Sequence, residues 1–165
     1  MNTSNLMDAI RVAKENERNA TESYAGAAQK ASNPYARELF MQLSAFEKFH
    51  LEKLTALEKS LQESGKFIEY EGQGFPLPPV FEITAAKKPN FKSDMHIITE
   101  ARELEEVMQK AYASLAAQAP DGPGKDMFNR MAEEERKHWF ILNDAWWSLN
   151  DKGEWKWTRP AENKV

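Results

Sequence analysis

One set of polar residues occurs twice in this chain at a constant offset. Glu17, Tyr24 and the tetrad Glu47-Lys48-Phe49-His50 are each answered 88 residues later by Glu105, Tyr112 and Glu135-Arg136-Lys137-His138. A fixed-period repeat that preserves chemical residue types, and not only hydrophobicity, marks a duplicated structural unit. Four carboxylates and two imidazoles in that arrangement point to a metal site shared between two copies of one helical hairpin.

The surrounding sequence supplies the helices. Ile10, Ala13, Glu17, Ala20, Tyr24 and Ala27 recur in steps of three and four, which places them on one stripe of a helix. That helix is expected to begin near Asn5. Asn33-Pro34 then interrupts the chain, with Asn33 suited to cap and Pro34 to open a second helix. Its stripe is Phe40, Leu43, Glu47, His50, Leu54, Leu57 and Leu61. A third helix, capped by Ser93 or Asp94, carries Ile98, Ala101, Glu105, Met108, Tyr112 and Leu115. A fourth carries Phe128, Met131, Glu135, His138, Leu142, Ala145 and Leu149, and Gly153 is its expected stop. Each of the six repeated Glu and His residues falls in phase with the apolar members of its stripe. Glu15, Glu22, Glu52, Glu58, Glu63, Glu103 and Glu106 fall outside the stripes. Within Glu133-Glu134-Glu135 only Glu135 is in phase, so Glu133 and Glu134 are expected to face solvent.

Between about 65 and 93 the helical period disappears, and Gly72-Gln73-Gly74-Phe75-Pro76-Leu77-Pro78-Pro79 cannot be helix interior. At roughly 3.3 Å per extended residue such a segment can run the length of a bundle. Its Phe67, Ile68, Phe75, Val80, Phe81 and Ile83 predict that it packs as it goes. The reading is therefore a single all-α domain over 1–165: a four-helix bundle with hairpin one at about 5–64, a long crossover at 65–93, hairpin two at 94–151 and a Trp-rich tail at 152–165. The tail, with Trp155 and Trp157, is expected to pack on the bundle or on another subunit.

The chemistry follows from burial. Uncompensated burial of four carboxylates and two imidazoles would cost several kcal/mol per charge, against a typical domain stability of about 5–15 kcal/mol. Two divalent cations neutralise four Glu⁻, and each receives one His. Residues three apart share a helix face, so Glu-x-x-His allows the Glu to bridge two ions while the His binds one. A single Glu-x-x-His is commonplace on solvated helices; two in core phase, each matched by an in-phase Glu on the hairpin partner, are not. The metal residues are thus Glu17, Glu47, His50, Glu105, Glu135 and His138. Tyr24 and Tyr112 are read as core rings whose hydroxyls bond ligand carboxylates. His96 has no carboxylate at a matching place and is read as a surface or cap residue. The chain contains no cysteine, which excludes disulfides, thiolate zinc sites and iron–sulfur clusters. Carboxylate-rich sites with one imidazole per ion suit iron or manganese, in Fe/Fe, Mn or mixed Fe/Mn form. Iron is favoured, because two irons make two electrons available together.

The doubled Glu…Tyr…Glu-x-x-His motif, over about residues 7–149, resembles the ferritin-like di-iron carboxylate proteins, and most closely their rubrerythrin branch. The resemblance implies a ferritin-like bundle in which Glu17 and Glu105 are terminal ligands, Glu47 and Glu135 bridge, and His50 and His138 each cap one iron. It implies an oxidoreductase that reduces hydrogen peroxide or O2. Two departures bear on that reading. Rubrerythrins usually carry a Cys₄ rubredoxin domain, which this chain lacks, so electrons are expected from an external donor protein. They also tend to have a further carboxylate one turn beyond the third-helix ligand, where this chain has Met108; that departure places the family's ligand-switching mechanism in question.

Two alternatives stand beside this reading: a ferroxidase or iron-handling protein, and a scaffold in which the site is a relic. A formal charge of −4 with no concentrated basic stretch argues against nucleic acid as partner. No apolar run approaches the roughly 18 residues of a membrane span. The N-terminus has no signal-peptide pattern, so a cytoplasmic location is expected. A homodimer or higher homo-oligomer is expected as well.

Overall fold

The computed structural model describes residues 3–74, 91–120 and 122–155. These form four helices, α1 (Thr3–Lys30), α2 (Pro34–Ser64), α3 (Phe91–Gln118) and α4 (Pro123–Lys152), and no strand occurs among the described residues. α1 packs on α2 and α3 on α4, and α1 also meets α3. The chain is thus an all-α bundle of two hairpins, as its periodicity predicts. No helix among the described residues is long and apolar enough to cross a membrane.

Local chemistry sets the helix ends. Asn33 caps α2, its side-chain oxygen accepting from the backbone N–H groups of Tyr35 at 2.9 Å and Ala36 at 3.3 Å, with Pro34 in the first turn. α2 and α4 end at Gly65 (φ 66°) and Gly153 (φ 67°), left-handed positions that a Cβ would strain. Two boundaries differ from the sequence reading. α1 begins at Thr3, two residues before the expected Asn5. α3 begins at Phe91, so neither Ser93 nor Asp94 caps it. Asp94 is instead a buried first-turn residue whose carboxylate accepts the indole N–H of Trp155 at 3.0 Å.

The predicted stripes are the core. Every named position of the α3 and α4 stripes is buried. In α2 only Leu61 is half-exposed, and in α1 the inward residue after Tyr24 is Ala28 in place of Ala27. That last shift is the drift of a straight 3.6-residue helix against a 3.5-residue pattern. Of the glutamates read as solvated, Glu58 is partly buried and accepts Lys14 at 2.6 Å and Arg11 at 2.9 Å, tying α2 to α1. His96 lies on the surface beside Glu100.

The apolar core divides into two clusters. One holds Tyr24, Phe40, Leu43, Ile98, Leu142, Leu149 and Trp155. The other holds Ile10, Leu54, Leu57, Tyr112, Met127, Phe128 and Met131. Against the second lie Phe67, Ile68 and Tyr70, the first residues of the crossover. Phe67 presses on α4 at Gly124, where any Cβ would collide with its ring. Phe75, Val80, Phe81 and Ile83 lie outside the described residues, as does Trp157. Trp155 closes the first cluster, with its ring edge-on to Phe40 at 6.0 Å. Trp155→Ala is expected to lower unfolding free energy by about 3–5 kcal/mol, the usual cost of emptying a buried aromatic position. Urea denaturation followed by circular dichroism measures it.

Candidate metal centre

Between the two apolar clusters lies a belt of polar side chains, one or two from each helix. Glu17 (α1), Glu47 and His50 (α2), Glu105 (α3), and Glu135 and His138 (α4) are all essentially without solvent exposure. They form two overlapping groups, Glu17, Glu47, His50 and Glu135, and Glu47, Glu105, Glu135 and His138. Within each group the potential ligand atoms lie within 4.8 Å of one another, and Glu47 and Glu135 belong to both.

Both imidazoles turn Nδ1 toward the carboxylates. His50 Nδ1 stands 2.9 Å from Glu135, 3.1 Å from Glu17 and 3.4 Å from Glu47. His138 Nδ1 stands 3.2 Å from Glu135, 3.3 Å from Glu47 and 3.4 Å from Glu105. The tyrosines connect the hairpins reciprocally. Tyr24 of α1 donates its hydroxyl to Glu105 of α3 at 2.6 Å, and Tyr112 of α3 donates to Glu17 of α1.

Electrostatics in this belt follow from burial and crowding. Burial, reinforced by the neighbouring Glu47 charge, raises the Glu17 carboxyl from 4.5 to about 8. Burial and the Glu105 charge raise Glu135 to about 8. Glu47 is raised by burial and by the charges of Glu135 and Glu105. Glu105 is lowered, because the adjacent His138 outweighs the penalty of its own burial. Burial disfavours the charged form of both imidazoles, yet the surrounding carboxylates hold them well above the usual histidine range.

Hydrogen bonding leaves the belt incomplete. Glu17 Oε2, Glu105 Oε2 and both oxygens of Glu47 are buried and accept no hydrogen bond among the described residues. Buried carboxylate oxygens are ordinarily satisfied. Oxygen-rich, anionic and converging, this donor set fits two divalent cations that share Glu47 and Glu135.

The family model described as Rubrerythrin matches residues 1–58. Rubrerythrin belongs to the ferritin-like di-iron carboxylate superfamily, and the matched segment carries Glu17, Tyr24, Glu47 and His50. No curated protein and no solved structure matches the chain. The second hairpin lies outside the matched residues; it repeats their polar residues at the 88-residue offset and meets them in the belt.

The largest correction to the sequence reading concerns Glu134. Expected in solvent, it is buried. Its carboxylate accepts the Tyr70 hydroxyl at 2.5 Å, the Gln73 backbone N–H at 2.9 Å and His50 Nε2–H at 2.9 Å. Burial opposes its ionisation, but these donors prevail and lower its pKa. Gly72, at φ 80°, lets the strap lie against Glu134 and Arg130, where a Cβ would clash with both side chains. The signal available in the sequence was a break in the repeat: the residue 88 positions before Glu134 is Phe46. Glu133 is half-exposed and pairs with Arg136, and Glu103 and Glu106 are exposed.

These shifts set the pH response of the metal-free protein. Carboxyls raised from 4.5 to about 8 bind protons more tightly when folded, so their contribution to stability is full below pH 4.5 and is lost as pH rises toward 8. The raised imidazoles act in the same direction. The melting temperature in chelator is expected to fall from pH 5 to pH 8, and added divalent metal to raise it more at pH 8 than at pH 6, as scanning calorimetry would measure.

Proposed function

We propose that this protein is a di-iron oxidoreductase of rubrerythrin type, which reduces hydrogen peroxide or O2 with electrons from a separate donor protein. The observation that carries this reading is the pair of four-residue ligand groups that share Glu47 and Glu135. Glu17 and His50 would hold one iron and Glu105 and His138 the other, with Glu47 and Glu135 between them. Iron is the metal chosen because rubrerythrins typically bind it and because oxygen-rich sites with single imidazoles suit it. When bound, two irons supply two electrons together, the number that takes H2O2 to two waters with two protons.

The chain's own residues prepare that site. Tyr24 and Tyr112 hold the terminal carboxylates Glu105 and Glu17 from the opposite hairpin, and the second oxygen of each is buried without a hydrogen bond among the described residues. The two apolar clusters exclude bulk water above and below. A cleft of about 710 Å³, lined by Phe46, Tyr70, Gln73, Glu134 and His138 among others, gives a small oxidant a route to the His138 side. Met108 is buried where rubrerythrins tend to carry a further carboxylate, so the reaction must proceed without an alternative ligand from that position. With no cysteine in the chain, no thiolate iron centre is built in to pass electrons inward.

Anaerobic loading with two Fe(II) per chain, followed by stopped-flow mixing with one equivalent of H2O2 or of O2, tests the reading. Oxidation by peroxide much faster than by O2 is the expected result. Faster reaction with O2 and continued turnover of excess Fe(II) would make the protein a ferroxidase, and failure to bind two irons would refute both. In the double variant Glu47→Gln, Glu135→Gln, paired binding should be lost while circular dichroism stays helical.

A further inference from the structure

The 88-residue repeat is broken next to the bridging carboxylates, where Phe46 precedes Glu47 but Glu134 precedes Glu135. Phe46 is buried, and its ring stands nearly perpendicular to both imidazoles of the belt. The ring centroids are 4.3 Å apart at 89° for His138 and 5.0 Å apart at 80° for His50. One phenyl ring thus covers the histidines of both hairpins from the same side.

That is the side from which the belt is approached. The 710 Å³ cleft runs between α4 and the crossover strap, and the lining residues that touch the belt or belong to it include Phe46, Tyr70, Glu134 and His138. Glu17, Glu47, His50, Glu105 and Glu135 do not line it. Even His138 keeps its Nε2 shielded from solvent. The groove between α1 and α3 ends on Tyr24 and Phe40, and none of the six belt residues lines it.

At the inner end of the cleft, the Tyr70 and Phe46 sides differ in what a passing molecule must disturb. Glu134 accepts the Tyr70 hydroxyl at 2.5 Å, the Gln73 N–H at 2.9 Å and His50 Nε2–H at 2.9 Å. Passage there would strip a buried carboxylate of donors, which is costly. Phe46 carries no polar side-chain group, so a shift of its ring against the imidazoles gives up apolar and ring contacts alone. Size then selects what passes. Reduction of an alkyl hydroperoxide to an alcohol and water takes two electrons from two Fe(II) and two protons, as reduction of H2O2 to two waters does. The chemistry treats the two alike, and a steric element is what can separate them.

We propose that Phe46 is the specificity-determining residue of this site: its ring closes the inner end of the cleft over both imidazoles, admits H2O2 or O2 and excludes alkyl hydroperoxides. The inference rests on the oxidant-reducing reading above, and its test separates the two. Shielding is measured first, in metal-free protein, where the chain's histidines His50, His96 and His138 give three ring systems to follow by NMR. Dissolved O2, a small paramagnetic probe, should enhance relaxation of the His138 ring. The bulky neutral nitroxide TEMPOL should relax the surface His96 ring and spare His138. In Phe46→Ala, TEMPOL should relax His138 as well, and in Phe46→Leu the same change should be smaller. Phe128→Ala empties a buried aromatic position that does not line the cleft, and it should leave His138 spared. TEMPOL relaxing His138 as strongly as His96 in the unsubstituted protein, or sparing it in Phe46→Ala, or reaching it equally in Phe128→Ala, would overturn the inference.

The second readout is the ratio of oxidation rates of the Fe(II)-loaded protein by cumene hydroperoxide and by H2O2. Phe46→Ala should raise that ratio by about 10-fold or more, the scale on which a pocket responds to a single methylene group. An unchanged ratio would overturn the selectivity while leaving the peroxidase reading in place. Failure to bind iron, or to react with any of these oxidants, would overturn the peroxidase reading and the selectivity with it, and the metal-free relaxation data would still decide whether Phe46 shields the belt.

Discussion

Four carboxylates and two imidazoles shut inside a helical bundle are the condition to which the rest of this structure responds. Charge in a low-dielectric interior is tolerated only when it is paired and hydrogen-bonded, and here the pairing is internal but incomplete. The imidazoles stand among carboxylates and the tyrosines satisfy two terminal oxygens, while both oxygens of Glu47 accept no hydrogen bond among the described residues. Cations complete such a site, and without them burial, reinforced by neighbouring carboxylates, raises the carboxyls of Glu17, Glu47 and Glu135. The belt also divides the hydrophobic core into two clusters that must each be well packed on their own, which Trp155 at one end and Phe67 with Tyr70 at the other help to achieve.

The duplication solves a geometric problem. A single helical hairpin offers one terminal carboxylate, one Glu-x-x-His and one tyrosine, which is half of the polar belt. Two hairpins face to face exchange their tyrosines, each hydroxyl anchoring the other hairpin's carboxylate, and the two Glu-x-x-His carboxylates meet in the middle. The tyrosine bonds run between hairpins, while His50–Glu17 and His138–Glu105 are contacts within one hairpin each. Symmetry of this kind would make the halves alike. Phe46 and Glu134 make them unlike, and the crossover residues Tyr70 and Gln73 hydrogen-bond the acidic one of the pair.

Helix phase was legible because it is a local property. A residue three or four positions from a buried leucine on a regular helix is buried too, and that rule alone placed all six repeated residues inside. It failed where burial came from a second direction. Glu134 stands one residue, or about 100°, from Glu135 and lies off the stripe that faces the bundle axis. The crossover strap covers that flank of α4, and a segment without helical period gives no register from which its contacts could be read. Asp94 is buried for a related reason, since its partner is an indole 61 residues away in the tail. Glu58 lies on the α2 flank that α1 overlaps with Arg11 and Lys14.

From the sequence alone came the number of helices, their inward faces, the caps at Asn33 and Gly153, and the constant offset that makes two hairpins into one site. All of these depend on spacing along the chain, which a 3.6-residue helix converts directly into direction. The tertiary structure decided which hairpin each tyrosine serves and which histidine gains Glu134 behind it. Those outcomes depend on how two hairpins and a non-helical strap settle against each other, a matter of packing between segments far apart in the chain that no periodicity encodes.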